Sequence, residues 1–160
     1  MRWLGYLWAL PHSLFGMLLM VYYWPKSFKW RDGCLEIVSR NTLIGGKWVG
    51  GQTHGWVIFY ADKRNQERAD LNVHERVHVK QGMIGGVFFI LAYGLCFLWE
   101  AIRNNKEVPR GVTHHPENFA KMPRWRRAYY QIWFERQAYG TEDDYFATPR
   151  EERHVFWGHR

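Results

Sequence analysis

Residues 70–82 read DLNVHERVHVKQG. The pattern predicts a helix over this range, with Asp70 as its N-cap. His74 and His78 are four residues apart and therefore share one helix face. They match the pattern H-E-x-x-H, in which two imidazoles bind one metal ion. Glu75 would then lie beside the metal, placed to take a proton from a metal-bound water.

A catalytic zinc site needs a third protein ligand and one position left for water. The best candidate is Glu135, because it lies on the apolar stripe of a helix predicted over residues 124–140. A carboxylate that faces a core is costly unless it is paired or bound to a metal, so the alternative role for Glu135 is a buried ion pair with an arginine. Three other residues stay open as the third ligand, namely Glu100 and the loop histidines His114 and His115.

Two further residues are placed to support this site. Gln81 lies one turn beyond His78 on the same helix face, where it either hydrogen-bonds the site or caps the helix end. Tyr139 lies one turn beyond Glu135, where its hydroxyl either stabilises an oxyanion or packs in the core. The core position is favoured for Tyr139, and the two roles of Gln81 are equally compatible with the sequence.

The motifs HERVHVKQ (74–81) and FERQAY (134–139) together resemble the gluzincin branch of zinc metallopeptidases. In that branch an H-E-x-x-H helix supplies two ligands and a glutamate on a later helix supplies the third. F-E-x-x-A is also similar to the motif of membrane-associated gluzincins that include CAAX-processing proteases, and to small, uncharacterised bacterial and phage proteins with HExxH motifs. The resemblance implies zinc as the cofactor and a site composed of His74, His78 and Glu135 as ligands and Glu75 as the base.

Two departures from related patterns limit this resemblance. Arg136 and Gln137 stand where the fuller F-E-A-D form has Ala and Asp, so the carboxylate that normally orients a ligand histidine is not identified. Gln81 and Ile84 stand where metzincins have glycine and the last histidine, which excludes that class.

The flanking segments indicate an α+β, zincin-like fold in a single domain over residues 1–160. Residues 34–60 are rich in β-branched and aromatic side chains and are punctuated by glycines, which predicts a small antiparallel sheet. Residues 61–68 and 103–123 are polar and read as loops. Besides the H-E-x-x-H helix, we expect an apolar N-terminal helix over 1–25, an apolar helix over 84–102 and the third-ligand helix over 124–140.

Composition is compatible with either a membrane-associated or a cytoplasmic protein. Residues 3–25 and 81–99 carry no formal charge, and each is long enough to span a bilayer or to form a core helix. The net charge of +7 is spread along the chain, which suits a membrane surface but does not require a nucleic acid. We expect no cleaved signal peptide, because Arg2 is the only basic residue before the first apolar segment. Nothing indicates the oligomeric state.

These observations predict a zinc-dependent metallopeptidase that acts on a peptide or protein substrate through a zinc-activated water. The alternative is a non-catalytic metal-binding protein, either structural or membrane-associated, such as a virion component. The alternatives differ in two features of the site: whether a ligand position is open, and whether Glu75 faces the metal. The sequence does not identify the substrate.

Overall fold

The computed structural model describes residues 2–109 and 118–147 of the chain, and it confirms an α+β fold. The strands form one mixed four-stranded sheet and are β1 (Pro25–Arg31), β2 (Cys34–Ser39), β3 (Gly51–His54) and β4 (Val57–Tyr60). The α-helices within the described ranges are α1 (Arg2–Trp8), α2 (Leu10–Tyr23), α3 (Lys63–Glu67), α4 (Ala69–Gly85), α5 (Phe88–Arg103), α6 (Arg124–Gln131) and α7 (Trp133–Ala147). A short 3₁₀ helix covers Phe119–Lys121, inside the predicted loop 103–123.

The sheet has the order β1-β2-β4-β3, and the prediction that it is wholly antiparallel is wrong. The pairs β1–β2 and β3–β4 are antiparallel, but β2 and β4 run parallel, with Ile37 opposite Phe59. The two central strands are almost entirely buried, as expected for strands covered on both faces. Sequence pattern indicates which residues are extended, but it does not indicate which strands become neighbours.

The limits of the β region also differ from the prediction. Strand β1 lies before residue 34, in a segment of alternating basic and aromatic residues with an exposed central part. Residues 42–49, which read as β-like, form turns instead of a strand. Gly45 and Gly46 cause this difference, because both adopt positive φ angles, of 103° and 106°, that an extended strand does not contain.

Several predicted helices are divided or shifted. Residues 1–25 do not form one helix, because the chain breaks at Ala9 and α2 then begins with Pro11 in its first turn. The predicted loop 61–68 contains the short helix α3, which Asp62 caps by accepting a hydrogen bond from the backbone N–H of Asn65 at 2.8 Å.

The site helices also differ from the prediction in their limits. Helix α4 begins one residue earlier than predicted, so its N-cap is Arg68 and not Asp70, which lies in the first turn. The predicted helix 124–140 is broken at Ile132, whose backbone is extended and whose side chain is fully buried. The break places Glu135 in the first turn of α7.

The core lies on both faces of the sheet, between α2 and α4. In β4 successive side chains point to opposite faces. Val57 and Phe59 pack in a cluster that includes Met17 and Met20 of α2. On the other face Ile58 and Tyr60 pack against Val79, Leu71 and Met83 of α4. The H-E-x-x-H helix is therefore fixed directly against the sheet.

Within the described residues, no single helix combines the length and apolar character needed to cross a bilayer. Helices α4 and α5 meet these criteria only as a pair, and the pair is bent by 115°. Gly86 causes the bend, because its φ of 53° is left-handed and the Trp8 ring occupies the space where a Cβ would lie. The uncharged stretch 81–99 is thus divided between two helices.

Candidate metal centre

Helices α4 and α7 bring His74, His78 and Glu135 together, and all three side chains are buried. His74 Nε2 lies 3.2 Å from His78 Nε2 and 3.2 Å from Glu135 Oε2. The distance from His78 Nε2 to Glu135 Oε1 is 3.3 Å. Two imidazole nitrogens and a carboxylate therefore point at one common space.

These distances fit a bound metal ion. Ligand atoms about 2.0–2.1 Å from a tetrahedral zinc lie about 3.3 Å from one another. The two Nε2 atoms are 3.2 Å apart, and each contacts a different oxygen of Glu135: His74 contacts Oε2 at 3.2 Å and His78 contacts Oε1 at 3.3 Å. One donor atom from each of the three side chains lies within 4.8 Å of the other two. The donor set of two imidazoles and one carboxylate is one that zinc accepts, and the same set also binds other divalent transition metals. Three protein ligands leave one tetrahedral position for water or substrate.

Gln81 holds the ring of His78 in a metal-binding orientation. His78 Nδ1 donates a hydrogen bond to Gln81 Oε1 at 2.8 Å, which orients the ring so that Nε2 faces Glu135 and His74. The amide nitrogen of Gln81 in turn donates to the backbone carbonyl of Phe134 at 3.0 Å and to Gln137 Oε1 at 2.9 Å. Gln81 thus links the site on α4 to the first turn of α7.

Glu142 supplies a carboxylate for His74 that the sequence motifs did not identify. Its Oε2 lies 3.5 Å from His74 Nδ1, and its side chain is buried. Tyr139 packs its ring against the same imidazole, with centroids 4.4 Å apart. Glu142 lies seven residues after Glu135, or two turns along the same face of α7. This seven-residue spacing could have identified Glu142 from the sequence as the carboxylate that orients a ligand histidine. The fuller F-E-A-D motif would supply that carboxylate at position 137, where this chain has Gln137.

Glu75 is buried and fixed by strand β3. Thr53 Oγ1 donates a hydrogen bond to Glu75 Oε2 at 2.6 Å. Gly51 lies so close that a Cβ at this position would collide with the Glu75 carboxylate. Burial raises the pKa of Glu75, and it outweighs the opposing effects of His74, His78 and Thr53. Neither β3 residue was recognised from the sequence, because their roles arise only from the packing of the sheet on α4.

A cavity of about 400 Å³ opens over the site. Glu75, His78 and Glu135 lie in its wall together with the whole of strand β3. Tyr93 also lines it and donates a hydrogen bond to Glu135 Oε1 at 2.6 Å. The remaining wall is mainly apolar and includes Phe15, Ile44, Trp48, Val49, Phe89, Ile90, Phe97, Trp125 and Tyr129. Tyr139 is not among the lining residues, which places it behind His74 and away from the position of a substrate.

The charges at the site are strongly coupled. Burial by itself raises the pKa of Glu135, but the two histidines outweigh it and hold that pKa well below its usual range. Burial likewise lowers the pKa of His74, but Glu135 and Glu142 outweigh it and raise the pKa to about 10. In the metal-free protein His74 therefore keeps a proton, which a metal must displace when it binds.

The other candidates for the third ligand do not join this cluster. Glu100 lies on α5, where it pairs with Arg103 at 3.5 Å. His114 and His115 lie outside the described residues. Neither Arg76 nor Arg127 forms the buried ion pair that is the alternative role of Glu135. Arg76 pairs with Glu36 at 2.8 Å, and Arg127 donates to the backbone carbonyl of Met122.

Comparisons with known proteins do not extend this assignment. No protein-family model matches the chain, and no curated protein or solved structure matches it significantly. The resemblance to gluzincins therefore continues to rest on the two motifs, and the assignment of the site rests on the geometry of α4, α7 and β3.

Proposed function

We propose that this protein is a zinc-dependent metallopeptidase that hydrolyses peptide bonds. One observation carries the proposal: His78 and Glu135 share a single cavity wall with Glu75, beside the buried His74. A purely structural metal site is closed by protein ligands and needs no carboxylate next to it. Here His78 and Glu135 face an open cavity, so a metal ion held by the triad would have one position open to it. The buried Glu75 carboxylate is not part of the triad and lies in the wall of the same cavity.

The chemistry follows from the roles these groups can take. When bound, zinc would acidify a water ligand and polarise the scissile carbonyl. Glu75 would accept the proton of that water and pass it to the leaving amine. Its raised pKa makes it a stronger base than an exposed carboxylate, which suits uptake of the proton.

Strand β3 offers a way to hold a peptide substrate. It lies at one end of the sheet order, and its four residues line the cavity. In the described residues only β4 pairs with it, so its second edge is available to an extended chain. A peptide that adds to this edge would form main-chain hydrogen bonds, with side-chain pockets supplying specificity. This arrangement would carry a scissile bond past Glu75, which Thr53 of the same strand holds.

The rival function is a non-catalytic metal-binding protein of structural or membrane-associated type. It requires either a closed ligand sphere or a Glu75 that points away from the metal. The open cavity and the position of Glu75 in its wall favour the peptidase. Zinc is favoured over other metals because the H-E-x-x-H pattern pairs two ligands with an adjacent base.

The proposal is tested with the zinc-loaded protein and an unstructured protein substrate such as denatured casein. We expect hydrolysis by the wild type and a loss of at least about 100-fold in Glu75→Gln, in which zinc content stays unchanged. The matched control is Glu67→Gln, an exposed glutamate on α3, which should keep full activity. Equal hydrolysis by wild type and Glu75→Gln would contradict the role of Glu75. A zinc-loaded wild type that cleaves no peptide bond would favour the non-catalytic rival.

A further inference from the structure

Helix α2 exposes a row of apolar side chains, unlike the polar outer face of a helix on a soluble protein, although Met17 and Met20 of the same helix pack in the core. The side that faces the protein carries His12, Ser13, Gly16 and Tyr23. The opposite side is exposed to solvent and consists of Leu10, Leu14, Phe15, Leu18, Val21 and Tyr22. Leu18 and Val21 are 70% and 79% exposed, so this face lacks a partner among the described residues.

Helix α5 also exposes apolar side chains. Its inward side chains include Phe89 and Tyr93, which line the metal cavity. Its outer face carries an exposed apolar stripe at intervals of three and four residues, formed by Phe88, Leu91, Leu95, Leu98 and Ile102. A stripe of this length is expected to be covered, because soluble proteins rarely expose large contiguous apolar areas.

The apolar surface is continuous between the helices. Trp8 of α1 contacts Phe88 of α5, with ring centroids 6.2 Å apart. The Trp8 indole N–H also donates to the backbone carbonyl of Ile84 at 3.2 Å. Leu4 and Leu7 extend the exposed surface along α1, which leads directly into α2. We call the surface formed by the exposed apolar side chains of α1, α2 and α5 the apolar face.

The charges that flank the apolar face are almost entirely positive. Residues 1–31 contain no acidic residue, and neither do residues 76–99. Lys26 and Lys29 follow α2 and are exposed, and Arg103 ends α5. Glu100 is the nearest acid on α5, but it is mostly buried and pairs with Arg103. A second copy of the chain would bring like charges to this border, whereas anionic lipid headgroups would bring opposite ones.

Aromatic residues mark the ends of the apolar face. Trp3, Trp24 and Trp99 lie near the ends of α1, α2 and α5, and they are 82%, 61% and 60% exposed. Tryptophan favours the boundary between lipid tails and headgroups, because its ring is apolar and its N–H is polar. An exposed apolar surface bordered by tryptophan and lysine is typical of an interfacial membrane contact.

The metal cavity reaches the border of this face. Phe15 on α2 and Ile90 on α5 both line the cavity, yet they are 46% and 48% exposed. Beneath them His12 contacts Phe89, with ring centroids 5.8 Å apart, and closes the space between the two helices. The rim of the cavity is therefore continuous with the apolar sides of α2 and α5.

We propose that the apolar face docks on an anionic lipid bilayer and that the metal cavity opens at the docked surface. Peptide segments lying at the bilayer surface would then be the substrate class. This second part rests on the proposed peptidase function, whereas docking does not. Helices α2 and α5 have 14 and 16 residues. Helices of about 15 residues are about 22 Å long, short of a bilayer core of about 30 Å, so the contact is interfacial.

Flotation with lipid vesicles tests the docking. The full chain should float with mixed phosphatidylcholine and phosphatidylserine vesicles and much less with phosphatidylcholine alone. The double variant Leu91→Gln with Leu98→Gln should weaken this partitioning by about tenfold or more at unchanged net charge. Its matched control is Val108→Gln with Trp133→Gln, two exposed apolar residues outside the face, which should float like the wild type. Equal flotation of the two variants, or self-association of the wild type without vesicle binding, would overturn the docking.

A fluorescent label tests where the cavity opens. An environment-sensitive dye on Ile90→Cys, in a Cys96→Ser background, should shift to the blue with anionic vesicles and be quenched by brominated lipids. The native Cys34 is fully buried, and the same dye on Val108→Cys should stay in water. An unshifted Ile90 label on a protein that floats would overturn the membrane-facing cavity. Zinc content is measured on the same samples: vesicle binding without zinc would remove the peptidase proposal alone, and zinc without vesicle binding would remove docking alone.

Discussion

At the scale of single residues, the candidate base depends on two neighbours in strand β3. Thr53 donates to the Glu75 carboxylate at 2.6 Å, and Gly51 leaves the space that the carboxylate occupies. Neither residue is a ligand, and neither carries a charge. Gly51 affects the position of Glu75, and Thr53 affects both its position and its pKa. Each can therefore be tested without disturbing the candidate metal ligands.

We predict that Gly51→Ala strongly reduces the proposed peptidase activity while the chain still binds zinc. The added methyl group would collide with the Glu75 carboxylate and displace it. A displacement of about 1 Å can cost about 100-fold in rate, so kcat/KM should fall by that order. Gly140→Ala is the control, because a Cβ there meets nothing within 4 Å. Unchanged kcat/KM in Gly51→Ala would show that Glu75 is not held where the account requires it.

We predict that Thr53→Val moves the acidic limb of the pH–rate profile to higher pH. The hydrogen bond from Thr53 lowers the pKa of Glu75, whereas burial raises it. Removing the bond therefore raises the pKa further, and the base becomes protonated at a higher pH as the solution is acidified. The expected shift of the limb in kcat/KM is about one pH unit, since a hydrogen bond to a charged group contributes about 1.5–3 kcal/mol. A profile identical to that of the wild type would contradict this role.

At the scale of elements, α7 acts as one unit that supplies both a ligand and a positioning residue. Glu135 lies in its first turn and Glu142 lies two turns later, and both face His74. The extended residue Ile132 sets where this helix begins. The sequence predicts a continuous apolar stripe over 124–140 that places Glu135 in the core. The residue is indeed buried, but the helix that carries it begins only at Trp133.

We predict that Glu142→Gln weakens zinc binding by about 10- to 100-fold. The amide keeps the size of the Glu142 side chain, whose Oε2 lies 3.5 Å from His74 Nδ1, but it lacks the negative charge that raises the basicity of the ligand. Competition with a zinc-binding dye measures the change, and Glu67→Gln on the exposed side of α3 should leave affinity unchanged. Wild-type affinity in Glu142→Gln would show that this carboxylate does not support the site.

The elements that the sequence predicts well are those with a local signature. The H-E-x-x-H helix is such an element, because its ligands are separated by one turn and need no tertiary information. The contacts of Glu75 with Thr53, and of Glu135 with Tyr93, join residues 22 and 42 positions apart. The parallel pairing of β2 with β4 is likewise non-local. Single-sequence patterns carry no signal for such contacts.

At the scale of the whole molecule, the metal site joins α4 to α7 and so links the sheet-packed region with the C-terminal helices. A ligand that binds only the folded state stabilises it, by about 4 kcal/mol when free zinc is about a thousand times Kd. Polar contacts between these helices include the hydrogen bonds of Gln81 to the Phe134 carbonyl and to Gln137. Zinc is therefore expected to contribute a large part of the stability of this junction.

We predict that removal of zinc with a chelator lowers Tm by about 10 °C, since about 4 kcal/mol is lost at about 2–4 °C per kcal/mol for a chain of this size. Differential scanning calorimetry with and without zinc measures the shift. In Glu135→Gln the shift should largely disappear, because the variant lacks the charged ligand. A wild-type Tm that does not change with zinc would show that zinc does not stabilise the fold.

The metal content of the purified protein shows whether His74, His78 and Glu135 hold one zinc ion. We predict one zinc per chain in the wild type, and loss of zinc in both His78→Ala and Glu135→Gln. Glu100→Gln should keep its zinc, because Glu100 pairs with Arg103 and lies outside the triad. A wild type without zinc after growth in zinc-supplemented medium, or a Glu135→Gln variant that retains it, would contradict the account.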